Sequence, residues 1–146
     1  MKKPRKIVVV VTARATFSRI RTALHAIKEH PELELHLILA ASVLLDRFGS
    51  AAELIEADGF TIAAKVFNVL EGSTPTLMAK NTGIGIVELA TAFDSIQPDI
   101  VVTVADRYET MASALAASYM NIPLTHVQGG EVTGSIDEKV RHAITK

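Results

Sequence analysis

Short apolar runs and longer helical patterns alternate along the whole chain. Residues 7–11 form an unbroken β-branched run, which is typical of a strand buried on both faces of a parallel sheet. Residues 17–30 have the apolar spacing of a helix that stops at Pro31, and residues 33–40 supply a second strand. These segments form a βαβ unit, whose crossover is expected to be right-handed. The sheet is therefore predicted to be parallel from its first two strands.

The alternation continues to the end of the chain. The strand at 61–70 alternates imperfectly, as an outer strand does, and the turn at 72–75 can cap the helix after it. On the helix at 51–58, Leu54 and Ile55 are expected to face inward. The order of elements predicts the α/β class, with a Rossmann-like, doubly wound parallel sheet. The remaining predicted elements are strands at 100–104 and 122–127 and helices at 77–96, at 112–117 and from about 135–137 onward.

The composition agrees with a single domain that spans residues 1–146. Apolar residues make up 49% of the chain and aromatic residues only 5%, so the interior is expected to consist of Ala, Val, Ile and Leu. The formal net charge is −1 and the Lys and Arg residues are scattered, which argues against binding to a nucleic acid. Cysteine is absent, and no apolar run is long enough for a signal peptide or a membrane span. These features predict a cytoplasmic protein with no nucleic-acid and no membrane partner.

Unusual polar residues follow three of the predicted strands, at residues 12–14, 105–109 and 126–131. Ligands of open parallel sheets bind outside the carboxyl ends of the strands, where loops and helix N-termini converge. We therefore expect the three segments to line one cleft. Arg14 can bind a phosphate or carboxylate there through its planar guanidinium, although it would be unremarkable on a helix surface.

Asp106 follows the strand at 100–104 directly and precedes a helix. One interpretation makes Asp106 the N-cap of that helix. The other makes it a proton-transfer carboxylate, whose pKa is tuned by partial burial and neighbouring charges. Arg107 and Glu109 are interpreted first as a solvated ion pair on the helix surface.

His126 lies near the end of a strand that is expected to be buried. It is either a satisfied core residue or a catalytic residue, because histidine titrates near neutral pH. Gly129 and Gly130 follow it, and they allow close backbone approach and positive φ angles, although they can equally form only a turn.

Glu131, Asp137, Glu138, Arg141 and His142 follow within a short span. On a helix, Asp137 and Arg141 have the i,i+4 spacing of an ion pair, and so do Glu138 and His142. The Glu/His pair lacks further nearby ligands, so no metal is assigned to it. The chain also lacks a GxGxxG fingerprint and a P-loop, which removes the main support for a dinucleotide or ATP cofactor.

Three motifs together resemble a known enzyme family: residues 106–109 (DRYE), 126–138 (HVQGGEVTGSIDE) and 141–146 (RHAITK). They are similar to the hydrolysing UDP-N-acetylglucosamine 2-epimerases of sialic-acid biosynthesis. The resemblance also includes the first strand with Arg14 and residues 58–60 and 97–100, so it covers the whole chain. It corresponds to the amino-terminal half of such an enzyme. It implies one half of a glycosyltransferase-B type fold, whose carboxy-terminal nucleotide-binding domain is absent from this chain.

The resemblance implies that UDP-N-acetylglucosamine and water are converted into N-acetylmannosamine and UDP. In the implied mechanism, the C2 proton is removed and UDP leaves to give a 2-acetamidoglucal. Water then adds at C1, and C2 is reprotonated from the other face. This chemistry needs carboxyl groups around the sugar and a cationic environment for the diphosphate, but no metal or redox cofactor.

The resemblance also implies roles for individual residues, position by position. The catalytic candidates are Asp106, Asp137, Glu131 and His126, and the substrate-binding candidates are Arg14, Gln128, Gly129, Gly130, Arg141 and His142.

Gln128 departs from the family pattern, in which many members have a catalytic Glu at this position. An amide cannot exchange protons as a carboxylic acid does, so either Glu131 takes over or the chain acts on a related UDP- or GDP-linked acetamido sugar. Ala105, where Gly is typical, is a smaller departure beside Asp106. Two other hypotheses remain: a non-catalytic module that binds sugar nucleotides, and a plain α/β interaction domain.

The resemblance finally suggests a homodimer. Because a cleft with one wall cannot exclude water or hold both diphosphate and sugar, we expect the 146-residue chain to have little or no turnover.

Overall fold

A computed structural model of the protein describes residues 3–45, 51–104 and 107–146. Within these ranges, five parallel strands form one sheet in the order β3-β2-β1-β4-β5. This confirms the predicted fold class, an α/β domain with a Rossmann-like, doubly wound sheet, and it places β3 at an edge as predicted. The strands are β1 (Arg5–Val11), β2 (Leu33–Ala40), β3 (Ile62–Val66), β4 (Ile100–Val104) and β5 (Leu124–Val127).

Helices cover both faces of the sheet, because side chains of the central strands alternate between two apolar cores. Val9 of β1 lies in the core beneath α1 and α2, whereas Val8 and Val10 lie in the core beneath α3 and α4. The helices are α1 (Arg14–Glu29), α2 (Ala51–Ala57), α3 (Pro75–Ile96), α4 (Thr110–Tyr119) and α5 (Ile136–Thr145), with a 3-10 turn at Ala41–Leu44.

The predicted cap of α3 is confirmed. Thr74 is its N-cap, and the Thr74 hydroxyl accepts a hydrogen bond of 3.3 Å from the backbone N–H of Leu77. Pro75 occupies the first turn, where a missing N–H costs nothing. The helix ends at Gln97, which adopts a left-handed φ of 55°.

Two details of the prediction are wrong. Leu54 is 49% exposed, because on a short helix the burial of Ile55 turns the adjacent side chain towards solvent. The strand predicted at 61–70 covers only Ile62–Val66. It ends there because Asn68 leaves the sheet and uses its buried side chain to bind neighbouring segments.

Asp58, directly after α2, ties this helix to α1. Its carboxylate forms a bidentate ion pair with Arg21 and lies 3.3 Å from Nε2 of His25. The hydrogen bond from Arg21 is the main reason that the pKa of Asp58 falls to about 2. Phe60 packs edge-on against Phe17, with ring centroids 5.8 Å apart. This contact completes the attachment of α2 to the face of the sheet that α1 covers.

In the part of the chain that the structure describes, none of the helices combines the length and the apolar character needed to cross a bilayer.

Candidate functional site

A pocket of about 280 Å³ lies at the carboxyl end of β1. The 3-10 turn borders it, because the carbonyl of Thr12 accepts hydrogen bonds from the Ser42 hydroxyl (2.9 Å) and the Val43 N–H (3.1 Å). Arg14 and Arg107 both line this pocket. Two of the three segments predicted to line one cleft, the residues after β1 and those after β4, therefore meet at this edge of the sheet, whereas residues 126–131 are not among the described residues that line the pocket.

The N-terminus of α1 adds to the positive character of this arginine pocket. The helix begins at Arg14, and its N-cap residue is Ala13. Among the described residues, no side chain caps this end and no acidic residue occupies the first turn. The unpaired N–H groups and the helix dipole therefore act together with Arg14 and Arg107, which favours an anionic ligand.

Glu109 holds Arg107 in place. The two oxygens of its carboxylate each accept a hydrogen bond of 3.1 Å from Nε of Arg107, and Glu109 is only 2% exposed. The predicted ion pair is present, but it is not solvated on both sides, because Glu109 packs inward at the N-cap position of α4. Burial by itself lowers the pKa of Arg107, but the hydrogen bonds and charge of Glu109 outweigh burial and raise it.

Asp106 and Ala105 lie outside the described residues, so the predicted roles of Asp106 stay predictions. The helix that follows them begins at Thr110, and its N-cap position belongs to Glu109. Asp137, the other predicted catalytic carboxylate, is half-buried in the first turn of α5. Its charge contributes to the raised pKa of Arg107, which places Asp137 in the electrostatic surroundings of the arginine pocket.

His126 is half-buried in β5, which is an edge strand of the described sheet, whereas a buried strand was expected. Its Nδ1 lies 2.9 Å from the Thr145 hydroxyl, which donates to the carbonyl of Arg141 at 3.1 Å. Nε2 is buried and has no hydrogen-bond partner among the described residues. Burial, and then the charge of Arg141, lower the pKa of His126, which favours the neutral ring.

The loop after β5 differs from the prediction in one respect. The left-handed residue is Gln128, with φ 64°, and neither Gly129 nor Gly130 has a positive φ. Close approach is confirmed at Gly129, where a Cβ would collide with the Thr145 hydroxyl and lie 3.0 Å from Nδ1 of His126. Gly130 has open space around it. Gln128 accepts a hydrogen bond of 3.2 Å from Arg19 of α1, so the loop is anchored across the sheet edge.

Arg141 fixes the next part of this loop. It is 2% exposed, and its guanidinium donates to the carbonyl of Glu131 and, at 3.5 Å, to the hydroxyl of Thr133. Its Nε is buried without a partner in the described part of the chain. The carboxylate of Glu138 accepts hydrogen bonds from the N–H groups of Gly134 and Thr133, which lower the pKa of Glu138.

These contacts replace the two helical ion pairs that the spacing suggested. Within the described residues, Asp137 does not pair with Arg141, and Glu138 does not pair with His142. Arg141 and Glu138 turn instead to the backbone of the preceding loop, which has unpaired N–H and C=O groups to satisfy. His142 is half-buried on α5, beside Arg141 in sequence.

Sequence reasoning missed a buried network of two asparagines. Asn68 accepts a hydrogen bond of 2.8 Å from the N–H of Ala41 and donates to the carbonyl of Asn81 at 3.3 Å. Asn81 accepts from the N–H of Leu70 at 2.8 Å and donates to the Tyr108 hydroxyl at 3.1 Å. The network links the ends of β2, β3 and β4. The only sequence signal was the presence of asparagines in otherwise apolar segments.

A second pocket, of about 370 Å³, lies between the N-terminal halves of α3, α4 and α5. We call it the apolar pocket, because its lining includes Pro75, Met78, Tyr108, Met111, Ile136 and Val140. It shares a loop with the arginine pocket: Arg107 lines one and Tyr108 lines the other. In the described ranges, no three His, Asp or Glu side chains are grouped closely enough to hold a metal ion.

Comparison with known proteins identifies the family. The family model for UDP-N-acetylglucosamine 2-epimerase matches residues 25–146. A UDP-N,N'-diacetylbacillosamine 2-epimerase (hydrolyzing) of Legionella pneumophila is 34% identical over 142 residues, which are 97% of this chain and 38% of that protein. A GDP/UDP-N,N'-diacetylbacillosamine 2-epimerase (hydrolyzing) of Campylobacter jejuni is 34% identical over 143 residues, with 97% and 37% covered.

Two solved structures share the fold. The UDP-GlcNAc 2-epimerase of Neisseria meningitidis bound to UDP-GlcNAc superposes with a TM-score of 0.80 at 18% identity, covering 96% of this chain and 38% of that one. The Methanocaldococcus jannaschii enzyme in complex with UDP-GlcNAc and UDP gives 0.77 at 18% identity, covering 95% and 38%. The chain therefore spans about two fifths of the length of these relatives. Because the family model matches most of its residues, the protein belongs to the UDP-N-acetylglucosamine 2-epimerase family.

Proposed function

We propose that this chain forms the amino-terminal wall of the active site in a hydrolysing nucleotide-sugar 2-epimerase. The reaction converts UDP-N-acetylglucosamine and water into N-acetylmannosamine and UDP through a 2-acetamidoglucal. In this proposal, the second wall is a carboxy-terminal nucleotide-binding domain, as in a glycosyltransferase-B type fold. The observation that carries the proposal is the arginine pocket, in which Arg14 and Arg107 meet beside an N-terminus of α1 that no described side chain caps.

The arginine pocket suits a diphosphate leaving group. Expulsion of UDP places negative charge on the oxygen that leaves C1, and fixed cations lower the energy of that transition state. Glu109 keeps the Arg107 guanidinium in one orientation, so little reorganisation is needed when the charge develops. Arg14 can turn towards the ligand, because its side chain is exposed at the start of α1.

Proton transfer at C2 requires groups on both faces of the sugar. We assign this chemistry to Asp106 and Asp137, in agreement with the family motifs, with His126 and Glu131 as further candidates. The charge of Asp137 contributes to the raised pKa of Arg107, so this carboxylate lies in the electrostatic surroundings of the arginine pocket. Nε2 of His126 is buried without a hydrogen-bond partner among the described residues, and an orphaned polar atom of this kind often has a functional role.

Gln128 is assigned to substrate binding rather than to proton transfer. Its side chain is an amide, and Arg19 already donates a hydrogen bond to its oxygen. Glu131 then provides the carboxyl group that Gln128 lacks, and Arg141 holds the backbone of Glu131 in position. We likewise assign Gly129 and Gly130 of the loop, and Arg141 and His142 of α5, to substrate binding.

A second candidate substrate is a UDP- or GDP-linked sugar with two acetamido groups. It is favoured because the Legionella and Campylobacter relatives, at 34% identity, are named for N,N'-diacetylbacillosamine. The chain's membership of the family is compatible with either sugar. The cytoplasmic location and the homodimer stay predictions.

Solvent deuterium provides the sharpest test, because only C2 chemistry exchanges a carbon-bound proton. We expect the natural full-length protein to release UDP in D2O and to yield a product that carries deuterium at C2. Asp137→Asn should abolish both signals, and Asp94→Asn, a change on the exposed surface of α3, should abolish neither. Binding of nucleotide sugars without UDP release would instead support the non-catalytic module, and absence of binding would support an interaction domain.

A further inference from the structure

The apolar pocket has no role in the reaction proposed above, yet it lies beside the residues assigned to that reaction. Ile136 lines it and directly precedes Asp137, and Tyr108 lines it and directly follows Arg107. Its volume of about 370 Å³ is within the range of small-molecule sites. A ligand in the arginine pocket therefore has an apolar cavity next to it.

Met78, Met111, Ile136 and Val140 provide four aliphatic or thioether side chains among the nine residues of this lining, which also includes the hydroxyl residues Ser73 and Thr82. Ile136 is 47% exposed, so part of its apolar surface is open to solvent. Methyl groups gain from such surroundings, whereas sugar hydroxyls lose hydrogen bonds to water there. Methionine side chains also adapt their shape to the group that they contact.

Tyr108 adds one polar group to the wall of this cavity. Its oxygen accepts a hydrogen bond of 3.1 Å from the side-chain amide of Asn81. The side-chain oxygen of Asn81 in turn accepts a hydrogen bond from the backbone N–H of Leu70. The Tyr108 O–H proton has no acceptor among the described residues. The phenol is thus fixed in position and has one donor to offer. An acetamido group matches this wall, because it has a methyl group and a carbonyl acceptor.

We propose that the apolar pocket binds the second acetamido group of a nucleotide sugar that carries two, and so selects that sugar over UDP-N-acetylglucosamine. The methyl group lies between Met78 and Met111, and the carbonyl oxygen accepts the Tyr108 O–H. This inference rests on the proposed function for the position of the sugar. In an apolar pocket, one additional methyl group changes selectivity by about tenfold or more.

The four methionines of the chain provide a direct test. Met78 and Met111 line the pocket, whereas Met120 lies beyond the opposite end of α4 and packs on the apolar core. We would label the methionine methyl groups with carbon-13 in the full-length protein. Its methyl spectrum would be followed during titration with UDP, with UDP-N-acetylglucosamine and with UDP-N,N'-diacetylbacillosamine.

We expect the Met78 and Met111 signals to shift with the diacetylated nucleotide only, and the Met120 signal to stay in place. Tyr108→Phe should lower affinity for the diacetylated nucleotide about tenfold and change affinity for UDP-N-acetylglucosamine less than twofold. Equal shifts with UDP-N-acetylglucosamine overturn the inference, since the shared acetamido group would then occupy the pocket. The inference is also overturned if the Met78 and Met111 signals do not shift with the diacetylated nucleotide, whether this nucleotide binds elsewhere or not at all.

The same samples separate this inference from the proposed function. Shifts at Met78 and Met111 without UDP release from any nucleotide sugar would support the pocket and contradict the epimerase reaction. UDP release with deuterium at C2, but without these shifts, would support the reaction and contradict the pocket.

Discussion

Arg107 and Glu109 are joined by two hydrogen bonds of 3.1 Å, although Arg107 is half-exposed and Glu109 is almost fully buried. Glu109→Gln removes the charge that orients the guanidinium. We expect a loss of about 1–3 kcal/mol in the free energy of unfolding and weaker binding of UDP-sugars. Urea denaturation and titration calorimetry measure the two effects. Glu88→Gln, on the exposed face of α3, is the matched control and should change neither quantity.

Two glycines of α3 should respond in opposite ways to alanine. A Cβ at Gly85 would lie 2.7 Å from Nδ2 of Asn68 and 2.8 Å from Cβ of Ala112, so Gly85→Ala should destabilise the protein by about 1–3 kcal/mol. A Cβ at Gly83 meets nothing within 4 Å, and Gly83→Ala should stabilise by about 0.5–1 kcal/mol. Thermal unfolding of both variants measures this. Equal effects would mean that Asn68 does not pack against α3 in this way.

Asp58 should make the protein sensitive to acid in a defined range. Its pKa is lowered from 3.8 to about 2, mainly by the hydrogen bond from Arg21, so the unfolded chain binds the proton more readily. This stabilisation is complete above about pH 4 and is lost as the pH falls through 2. Asp58→Asn should therefore flatten the dependence of the unfolding free energy on pH in that window. An unchanged slope would show that the ion pair with Arg21 does not form in solution.

Glu131 and Gln128 should differ in their effect on turnover. If Glu131 supplies the missing carboxyl group, Glu131→Gln should lower kcat about 100-fold or more, as loss of a general acid or base does. Gln128→Asn keeps an amide and tolerates the left-handed φ of 64°, so it should raise KM and change kcat less than tenfold. Steady-state kinetics on the full-length protein decides between them. A large loss of kcat in Gln128→Asn, with little change in Glu131→Gln, would instead assign the catalytic role to Gln128.

The buried strands were the most predictable part of the fold. The predicted bounds of β2 and β4 agree with Leu33–Ala40 and Ile100–Val104, because the apolar residues at the end of β2 and along most of β4 are buried in the parallel sheet. β3 was predicted too long, because its end is determined by Asn68, and the partners of Asn68 lie on the 3-10 turn and on α3. Contacts between distant segments leave no periodic signal in the sequence.

The candidate site was predictable in location but not in its contacts. Arg14 was expected at the end of β1, and it lies there with Arg107. The i,i+4 spacing gave a wrong partner for Arg141, because spacing describes a helix in isolation and the loop before α5 competes for the same guanidinium. Asp106 was predicted from its position after a strand and from its motif, and it lies outside the described residues.

Helix α5 contacts the loop after β5 at two places. Thr145 contacts His126 and the carbonyl of Gly129 at one end, and Arg141 holds the carbonyl of Glu131 further along. Changes at these positions are therefore not independent, and their energetic effects should not be additive. In evolution, substitutions in the loop and in α5 are therefore expected to be accepted together rather than singly. We therefore expect a new substrate preference to arise more readily at Met78 or Met111, which line the apolar pocket, than within the loop.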